Sequence, residues 1–450
     1  MSRYKYSQFN TIIDDGDIVI FNSFVNSLAI LERAEFDFLN SLINKDIQEE
    51  NLSEYQNDLI NRSIINNFIV YEDTDELKAL ENVVVSRKEN KNSLTITILP
   101  TISCNLNCTY CFEGEKKGGR MNKEVQYQLL QWIGKQINGL KNLNVCWFGG
   151  EPTLAPNIIK DLSNRLIKLC KSNNVTYSAS IVTNATLMDL NMAKMLDSKQ
   201  VKTVQITLDG PQRIHDKVRC YKSNNKGTFN EIINNVKQYA KKVKFHTVFR
   251  INVDTQNESY CFELIEELAR LLHGVPNVSV YFAPIHATTN MCKHIAKFTM
   301  ESMQYARLET QLIEFSHKMG LMKINLPSRY IGLCAAARKN GIVVSPNGDV
   351  HKCWETVTMD KFKIGNIKDP DFDLHKCGET WTSWSPLKEQ SCRNCSILPN
   401  CMGMCTYRFL FKENLSGETA VTPCPSIKFD FENRIRLYLK KINSNNHKKQ

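Results

Sequence analysis

Cysteine spacing constrains this chain more than any other feature of its sequence. The 450 residues include 16 cysteines, and most of them fall into two groups that lie far apart along the chain. In a secreted protein such a count indicates a disulfide framework, but those frameworks belong to small domains that follow a signal peptide. This chain is long, and its first residues, Met1–Tyr6, carry no apolar signal segment. We therefore expect a cytoplasmic protein whose closely spaced thiols bind metal.

The overall composition narrows the class of protein. Hydrophobic residues make up 42% of the chain, and no apolar run reaches the ~18 residues that a transmembrane helix needs. The 57 basic and 47 acidic residues give a net charge of +10, a mild excess that permits an acidic partner without requiring nucleic acid. We expect neither a membrane nor a nucleic-acid partner. At roughly 150 residues per domain, the length predicts about three domains.

Residues 1–75 predict a small α+β domain. Two apolar runs flank the turn Asp14–Asp17, which is typical of a β-hairpin. A helical stretch and a second short helix near Leu59 follow, and then the strand Phe68–Tyr71. This order is compatible with a winged-helix-like module. The charged segment 76–93 follows it as a predicted linker.

Residues 94–300 alternate short β-branched runs with amphipathic helical stretches such as Val125–Ile137. Such alternation predicts a parallel sheet, and the fold class is therefore α/β. Six units form a partial (β/α)6 barrel rather than a closed eight-stranded one. The predicted strands are Leu94–Leu99, Val145–Phe148, Ser178–Val182, Val204–Leu208, Val248–Val253 and Val278–Phe282.

The last third of the chain has a different pattern. Residues 301–333 contain one long helical stretch, Ser302–Lys318, which we expect to bridge two domains. Residues 334–430 are rich in cysteine and have few periodic segments, so they need something besides a large apolar core to hold them. The tail, residues 431–450, is polar and basic, and we expect disorder from Lys440 onward.

The first cysteine group, Cys104, Cys108 and Cys111, lies directly after the first predicted barrel strand. Three thiolates so close together can hold one side of a four-iron cube, leaving one iron open to a cofactor or substrate. A zinc site is the alternative, but it would require a fourth nearby ligand and usually a Cys-x2-Cys pair. The spacing favours an iron–sulfur cluster.

This triplet, Cys-x3-Cys-x-Tyr-Cys, resembles the signature of the radical S-adenosylmethionine (radical SAM) enzymes, and three further motifs strengthen the resemblance. Phe148–Pro152 resembles the GGE motif that binds the amino group of SAM, since glycines allow close backbone approach and a carboxylate pairs with an ammonium. Thr183–Thr186 is similar to the ribose-contacting segment. Thr207–Pro211, with His215, Asp216 and Arg219, resembles the LDGP…HD..R stretch of one large subgroup.

Each of these motifs alone is explained by ordinary turn chemistry, because Gly, Asn and Asp are common in strand-to-helix loops. All four follow predicted strands in order, at the face where (β/α) barrels carry active sites. The resemblance implies a SAM site beside a [4Fe–4S] cluster on the first cysteine group. The implied SAM contacts are Tyr110, Gly149, Gly150, Glu151, Thr183, Asn184, Thr207, Asp209 and Arg219.

The second cysteine group is similar to the SPASM domain, a C-terminal extension of radical SAM enzymes that modify peptides and proteins. The similarity rests on the spacing Cys-x13-Gly-x4-Cys, then Cys-x2-Cys-x5-Cys-x3-Cys, then a last cysteine. The resemblance therefore extends from residue 94 to about residue 430. The matching cysteines are Cys334, Cys353, Cys392, Cys395, Cys401, Cys405 and Cys424.

The resemblance implies three [4Fe–4S] clusters, two of them auxiliary. One auxiliary cluster would be held by Cys392, Cys395, Cys401 and Cys424, and the other by Cys334, Cys353 and Cys405. The three-cysteine cluster then has one ligand position to spare. Cys377 is one candidate for that position; otherwise the iron is open or takes a ligand other than cysteine.

The resemblance also implies the reaction. An external flavodoxin or ferredoxin would supply an electron, SAM would yield a 5′-deoxyadenosyl radical, and that radical would abstract a substrate hydrogen. An open auxiliary iron predicts binding of a substrate cysteine thiolate and formation of a thioether in a ribosomally made precursor peptide. Carbon–carbon or carbon–oxygen crosslinking and formylglycine formation in sulfatases are the alternatives within the family. A non-catalytic iron–sulfur or zinc scaffold is the alternative outside it.

The N-terminal residues fit this interpretation. Peptide maturases of this kind often carry a winged-helix-like domain that binds the leader of the precursor as an extra strand. Residues 1–75 have a suitable size and β-content, although a barrel-capping or dimerising extension would have the same pattern. We assign no residue as a catalytic acid, base or nucleophile from the sequence.

Overall fold

The computed structural model describes residues 4–45, 51–113, 119–328, 333–417 and 423–447. Within these ranges, every helix is too short or too polar to span a lipid bilayer. The architecture is α/β, and its centre is a sheet of parallel strands covered by helices on one face. The predicted fold class, with a partial radical SAM barrel at its centre, is confirmed.

The N-terminal module, residues 4–71, contains the predicted hairpin. Strands β2 and β3 pair around the turn at Gly16, and β4 adds to β3, so the order is β2-β3-β4. Helices α1 and α2 both begin with a capping box, which satisfies the first free backbone N–H groups. The elements are β1 (Tyr4–Tyr6), β2 (Asn10–Asp15), β3 (Asp17–Asn22), β4 (Ser27–Leu31), α1 (Arg33–Asn44), α2 (Glu54–Ile65) and β5 (Ile69–Tyr71), with β1 paired to β5.

The predicted linker contains a helix that packs against the C-terminal half of the chain. Helix α3 (Glu76–Lys88) begins at Asp75, whose side chain accepts a hydrogen bond from the backbone N–H of Lys78. Its apolar residues Leu80 and Val84 are fully buried in a core shared with the cysteine-rich region. The sequence predicts a linker with one helical turn or more here, and the structure shows a helix of 13 residues, which a few buried apolar side chains are enough to anchor.

The barrel strands confirm the six predicted strands. They are all parallel and follow one another in chain order across the sheet. Along each strand, alternate side chains face the surrounding helices or the barrel interior, as the two-residue period of a strand requires. The strands are β6 (Ser93–Thr101), β7 (Asn142–Gly149), β8 (Thr176–Thr183), β9 (Val201–Leu208), β10 (His246–Val253) and β11 (Val278–Pro284).

Amphipathic helices cover the outer face of this sheet, and the main hydrophobic core lies between the two layers. The predicted helix at Ser302–Lys318 is confirmed with the same bounds and packs beside the last barrel helix. The helices are α4 (Lys123–Gln136), α5 (Pro156–Ser172), α6 (Leu190–Ser198), α7 (Gln212–Val218), α8 (Phe229–Tyr239), α9 (Cys261–Leu271) and α10 (Ser302–Lys318).

The cysteine-rich region extends the barrel sheet beyond its first strand. Strand β12 pairs parallel with β6, and β13 and β14 follow it in antiparallel pairs, so the sheet has nine strands. The rest of this region is built of short helices. Its elements are β12 (Gly341–Val344), β13 (Asp349–His351), β14 (Gly365–Asn366), α11 (Glu379–Ser383), α12 (Gln390–Arg393), α13 (Leu398–Cys401) and α14 (Thr406–Leu410).

The expected disordered tail is wrong for most of its length. Residues Phe431–His447 form a helix, and only residues 448–450 lie outside the described part of this tail. Phe431 and Ile435 are buried against the N-terminal module, where the rings of Phe21 and Phe431 lie 5.6 Å apart. The helix is polar overall but has one apolar stripe. The N-terminal module buries that stripe and thereby stabilises the helix.

Candidate active site at the carboxyl ends of the barrel strands

The first cysteine group lies on the loop that leaves the carboxyl end of β6. Burial raises the pKa of the Cys108 thiol to about 11; Arg219 opposes that rise, and the charges of Cys104 and Cys111 add to it. Cys104 and Cys111 therefore lie close enough to Cys108 for their charges to act on it, and all three thiols line one cavity. Within the described residues, no three His, Cys, Asp or Glu side chains are arranged to hold a single metal ion.

Gly149 and Gly150 bring the end of β7 against the loop that carries these cysteines. A Cβ atom on Gly149 would lie 2.3 Å from the carbonyl oxygen of Thr101, and one on Gly150 would lie 2.0 Å from that of Ile102. Gly149 also has a φ of +123°, which side chains disfavour. Only glycine allows this approach, so the motif shapes the cavity wall through its backbone.

Glu151, which follows the two glycines, lies in a buried hydrogen-bond network. The side chain is fully buried and does not line the cavity. Its carboxylate accepts hydrogen bonds from the N–H of Thr153 at 2.9 Å, the hydroxyl of Thr183 at 2.7 Å and the N–H of Asn184 at 2.6 Å. The carboxylate therefore ties the loop after β7 to the end of β8, and its contact with the SAM ammonium stays a prediction.

Thr183, Asn184 and Thr207 lie where their motifs predict, on the cavity wall. The Asn184 amide donates to Asn105 Oδ1 at 2.8 Å and approaches Cys104 Sγ at 3.9 Å. The segment after β8 is thereby fixed to the loop of the first cysteine group. Side chains from three different strand ends meet at this point.

Tyr110, Asp209 and Arg219 form one buried polar cluster. The Tyr110 hydroxyl donates to Asp209 Oδ2 at 2.7 Å and accepts from Arg219 Nη1 at 2.7 Å and from Asn252 Nδ2 at 3.1 Å. Burial raises the pKa of Asp209, and the nearby guanidinium of Arg219 opposes that rise. Tyr110 thus links the first cysteine loop to the ends of β9 and β10, and Arg219 and Tyr110 also line the cavity.

His215 supports this cluster through Thr228 and the backbone of Arg219. The ring is fully buried, and burial together with Arg219 holds its pKa well below the usual value, so the imidazole is neutral. His215 Nε2 lies 3.1 Å from the hydroxyl of Thr228, which in turn donates to the carbonyl oxygen of Arg219 at 2.7 Å. The histidine is a positioning residue for Arg219 rather than a metal ligand.

The cavity encloses about 340 Å³ at the carboxyl ends of the barrel strands. It extends from the first cysteine group to Trp354 and Glu355, which directly follow Cys353. The rings of Phe112, Phe148 and Trp354 stack in a row along it, with centroids 6.5 and 5.4 Å apart. Trp354 lies at the end of this row, and 43% of its surface is exposed.

Sequence reasoning missed a set of polar residues inside the barrel. Gln205, Arg250, Asn252 and Tyr281 all point into the cavity from β9, β10 and β11. Arg250 Nε donates to Asn252 Oδ1 at 2.8 Å, and Tyr281 donates to Gln205 Oε1 at 2.8 Å. The signal was present, because polar side chains recur at every second position of otherwise apolar strands, which is typical of a lined interior.

Three cysteines of the second group converge beside the cavity. Burial raises the pKa of Cys353 well above the usual value, and the charges of Glu355, Cys334 and Cys405 add to the rise. The side chains of Phe362, Trp381 and Tyr407 pack around these thiols. We call Cys334, Cys353 and Cys405 the inner cysteine group.

The other four cysteines converge elsewhere. Burial raises the pKa of Cys401 to about 12, and Cys392, Cys424 and Cys395 contribute to the rise. The ammonium of Lys428 donates to Cys424 Sγ at 3.6 Å. We call these four thiols the outer cysteine group. The charges of the second-group thiols thus act within two separate sets, and the assignment of a cluster to each set stays a prediction.

Cys377 is not among the groups whose charges act most on Cys353 and Cys405. Gly378 packs against the aliphatic part of Lys352, and the charge of Cys334 acts on the Lys352 ammonium. Burial lowers the pKa of this lysine to about 7. The loop of Cys377 therefore contacts a lysine beside the inner group.

Comparison with known proteins agrees with this geometry. Residues 98–268 match the model of the radical SAM superfamily. The chain is 26% identical over 342 residues to the cysteine-type anaerobic sulfatase-maturating enzyme of Clostridium novyi (strain NT), a match that covers 70% of this chain and 88% of that relative.

Two solved structures share the fold. Native anSMEcpe with bound AdoMet matches 76% of this chain and 99% of its own, with a TM-score of 0.59 and 21% identity. Streptococcus suis SuiB bound to its precursor peptide SuiA matches 92% of this chain and 98% of its own, with a TM-score of 0.51 and 17% identity. The SuiB match is wide enough to include part of the N-terminal module. The chain is an enzyme whose residues 98–268 form a radical SAM domain.

Proposed function

We propose that this radical SAM enzyme is a peptide maturase that joins a cysteine sulfur to a carbon atom within a ribosomally made precursor peptide. The observation that carries the proposal is the shared cavity, which has the first cysteine group at one end and residues beside the inner cysteine group at the other. A substrate bound there would lie between the source of the radical and a second cluster. This arrangement suits a reaction that needs both.

The residues at the first end suit a SAM-bound cluster. Three thiols converge there beside a backbone that only glycine allows to come so close, and the polar groups of Asn184 and Thr207 line the same wall. When bound, SAM and the reduced cluster supply a 5′-deoxyadenosyl radical that abstracts a hydrogen atom. The Tyr110–Arg219–Asp209 cluster keeps the strand ends in register and presents a cationic guanidinium toward the cavity. That cation would orient the carboxylate of SAM.

The residues at the second end suit a thiol substrate. The inner cysteine group provides three ligands where a four-iron cube takes four. A cluster there would therefore have one position that can accept a substrate thiolate. The stacked rings of Phe112, Phe148 and Trp354 line the space between the two ends and would exclude water from a radical formed there.

The N-terminal module supports recognition of a leader segment. Within the described residues, β4 pairs with β3 and with no other strand, so one edge of this sheet is unpaired. Ile30 on that strand is 53% exposed. An extended leader could add to this edge through backbone hydrogen bonds and cover Ile30. The module docks on the C-terminal helix through Phe21 and Leu28, on the sheet face that Ile30 shares, and this docking leaves Ile30 exposed.

Formylglycine formation in a sulfatase is the second candidate function. One observation favours it: the Clostridium novyi relative is a sulfatase-maturating enzyme and matches 70% of this chain. That reaction also begins at a substrate cysteine, but it leaves an aldehyde rather than a crosslink. Carbon–carbon or carbon–oxygen crosslinking is a third outcome of the same radical step.

Co-expression with a small cysteine-containing precursor from the same operon tests the proposal. Thioether formation predicts a product that is lighter by two hydrogens and whose cysteine no longer reacts with iodoacetamide. The Cys104→Ala variant is the matched control, because it removes one thiol of the first group and should abolish both SAM cleavage and the mass change. A two-hydrogen loss with every thiol still reactive would contradict thioether formation, and an aldehyde that reacts with hydrazine would favour the sulfatase reaction.

The electron donor that we propose is a flavodoxin or a ferredoxin. These carriers are acidic, and the chain has a net charge of +10, so electrostatic steering favours their encounter. Binding should weaken as salt is added, because exposed charges more than about 8–10 Å apart are screened at physiological ionic strength. Reduction of the clusters by a chemical reductant should not show this dependence.

A further inference from the structure

The inner cysteine group has three thiols, and the structure places a carboxylate next to them. We propose that Glu355 is the fourth ligand of the inner auxiliary cluster in the enzyme without substrate. This inference rests on the proposed function, because it requires a cluster on Cys334, Cys353 and Cys405. It assigns the vacant corner of that cluster to a residue that no motif predicts.

The position of Glu355 follows from the local backbone. Cys353 precedes a short 3-10 helix, Trp354–Thr356, which brings the residue two positions later back toward the sulfur. The backbone N–H of Glu355 donates to the Cys353 thiol, and the Glu355 charge acts on both Cys353 and Cys405. The Cys353 thiol and the Glu355 carboxylate therefore lie close together on one turn of the backbone.

The side chain is oriented rather than free. The hydroxyl of Thr288 donates to Glu355 Oε2 at 2.6 Å. The exposed part of the residue faces the cavity, where Arg250 and Arg408 are the cations whose charges act on it. A hydrogen bond that fixes one oxygen of a ligating carboxylate is typical of metal sites, because it sets the direction of the other oxygen.

The alternative thiol is less well placed. The loop of Cys377 contacts Lys352, whose aliphatic chain packs against Gly378. Glu355 lies on the 3-10 turn that directly follows Cys353 and lines the cavity, whereas Cys377 does neither. Glu355 is the better candidate on geometry.

A carboxylate suits a ligand position that is occupied before substrate binds and released when substrate arrives. Iron accepts carboxylate ligands, as in non-haem iron sites, but thiolate is the softer ligand and is preferred in iron–sulfur clusters. A carboxylate at this corner would exclude water and stray thiols, and an arriving substrate thiolate would replace its Fe–O bond with an Fe–S bond. The displaced carboxylate would keep its hydrogen bond to Thr288.

The test compares anaerobically reconstituted full-length protein with the Glu355→Gln and Glu355→Cys variants. The amide of the first is a poor ligand, and the thiol of the second should complete a four-cysteine site. The readouts are iron content, electron paramagnetic resonance of the dithionite-reduced protein, and titration with 2-mercaptoethanol. Glu113→Gln is the matched control, because Glu113 also lines the cavity and also lies two residues after a cysteine, Cys111.

We expect Glu355→Gln to retain its iron and to change the auxiliary signal. The 2-mercaptoethanol concentration that converts half of that signal should fall about tenfold or more relative to wild type. Glu355→Cys should give a third spectrum that added thiol no longer changes, and Glu113→Gln should leave the auxiliary signal as in wild type.

The outcomes separate this inference from the function on which it rests. A Glu355→Gln protein with full iron, a wild-type auxiliary signal and a wild-type thiol titration would overturn the ligand assignment alone. If Cys353→Ala loses no iron, there is no inner cluster, and both the ligand assignment and the proposed cluster set fail. If Glu355→Gln cannot be purified folded, the spectrum and thiol titration of Glu355→Cys decide the assignment.

Discussion

The inner and outer cysteine groups come from one region of the chain but meet different surroundings. The inner group has three thiols, and Trp354 and Glu355, which directly follow Cys353, line the cavity. The outer group has four thiols and borders a surface groove of about 550 Å³ that contains Cys395 and Lys428. A complete thiol set lies near the surface, and an incomplete set lies next to the candidate substrate space. The difference teaches that the number of thiols varies with location: the group beside the candidate substrate space has three thiols, and the group near the surface has four.

The two groups also have different structural neighbours. Cys392 and Cys395 pack in cores that join the N-terminal module, helix α3 and the C-terminal helix. The inner group is enclosed by an aromatic cluster that belongs to its own region. The outer group therefore lies at the junction of several parts of the chain, and its loss should affect stability more widely.

The largest expected effect separates these roles. Cys401→Ala and Cys353→Ala should each lose about four irons, since each variant removes a ligand from one cube. Cys401→Ala should also lower the thermal unfolding midpoint and expose α3 to proteolysis, because the outer group lies under that helix. Iron analysis, calorimetry and limited trypsin digestion measure these effects. Equal destabilisation of the two variants would contradict a wider structural role for the outer group.

Two tryptophans provide the next contrast. Trp384 is 6% exposed in the core beside the outer group, and Trp354 is 43% exposed at the cavity. Trp384→Ala should cost about 3–5 kcal/mol of unfolding free energy, as for other buried aromatic truncations. Trp354→Ala should cost about 1 kcal/mol, from one lost ring contact, but should strongly reduce peptide modification. Denaturant unfolding and the precursor mass assay separate the two; a stability loss at Trp354 as large as at Trp384 would contradict the assignment.

The lysine beside the outer group should tune its potential. Lys428 donates to Cys424 Sγ at 3.6 Å, and a positive charge stabilises the more negative, reduced state of a cluster. Lys428→Met should therefore lower the outer midpoint potential by about 60 mV, which is a tenfold change for a one-electron couple. Redox titration followed by electron paramagnetic resonance measures it. Lys440→Met is the control, because Lys440 pairs with Glu314 away from the thiols; an equal shift there would show a non-specific charge effect.

The smallest effect concerns how the N-terminal module is held next to the outer group. Arg436 forms an exposed ion pair with Asp15, while Phe431 packs against Phe21. Exposed ion pairs contribute little because water and salt screen them, so Arg436→Ala should leave the unfolding midpoint unchanged. Phe431→Ala should lower it measurably. A larger loss at Arg436 would mean that charge rather than apolar contact holds the module.

Periodicity and spacing predicted those features that depend on nearby residues. The six barrel strands, the hairpin at Gly16 and the helix Ser302–Lys318 all follow from local patterns of apolar side chains. The order of the cysteines and the family resemblance also indicated which thiols would meet. These features are visible in the sequence because a strand or helix shows its buried face as a repeat of two or 3.6 residues.

Tertiary structure decided what depends on distant parts of the chain. Helix α3 and the C-terminal helix are stable because other segments cover their few apolar residues, which no local pattern reveals. Glu151 lies within hydrogen-bonding distance of the end of β8 only because two loops converge, and Trp354 lines the cavity only because β12 extends the barrel sheet. The sequence alone determined the barrel strands, the N-terminal hairpin and the bridging helix, and it indicated the thiols that we expect to carry the chemistry. Packing decided the remaining helices and the side chains that face the cavity, because burial depends on neighbours that lie hundreds of residues away in the chain.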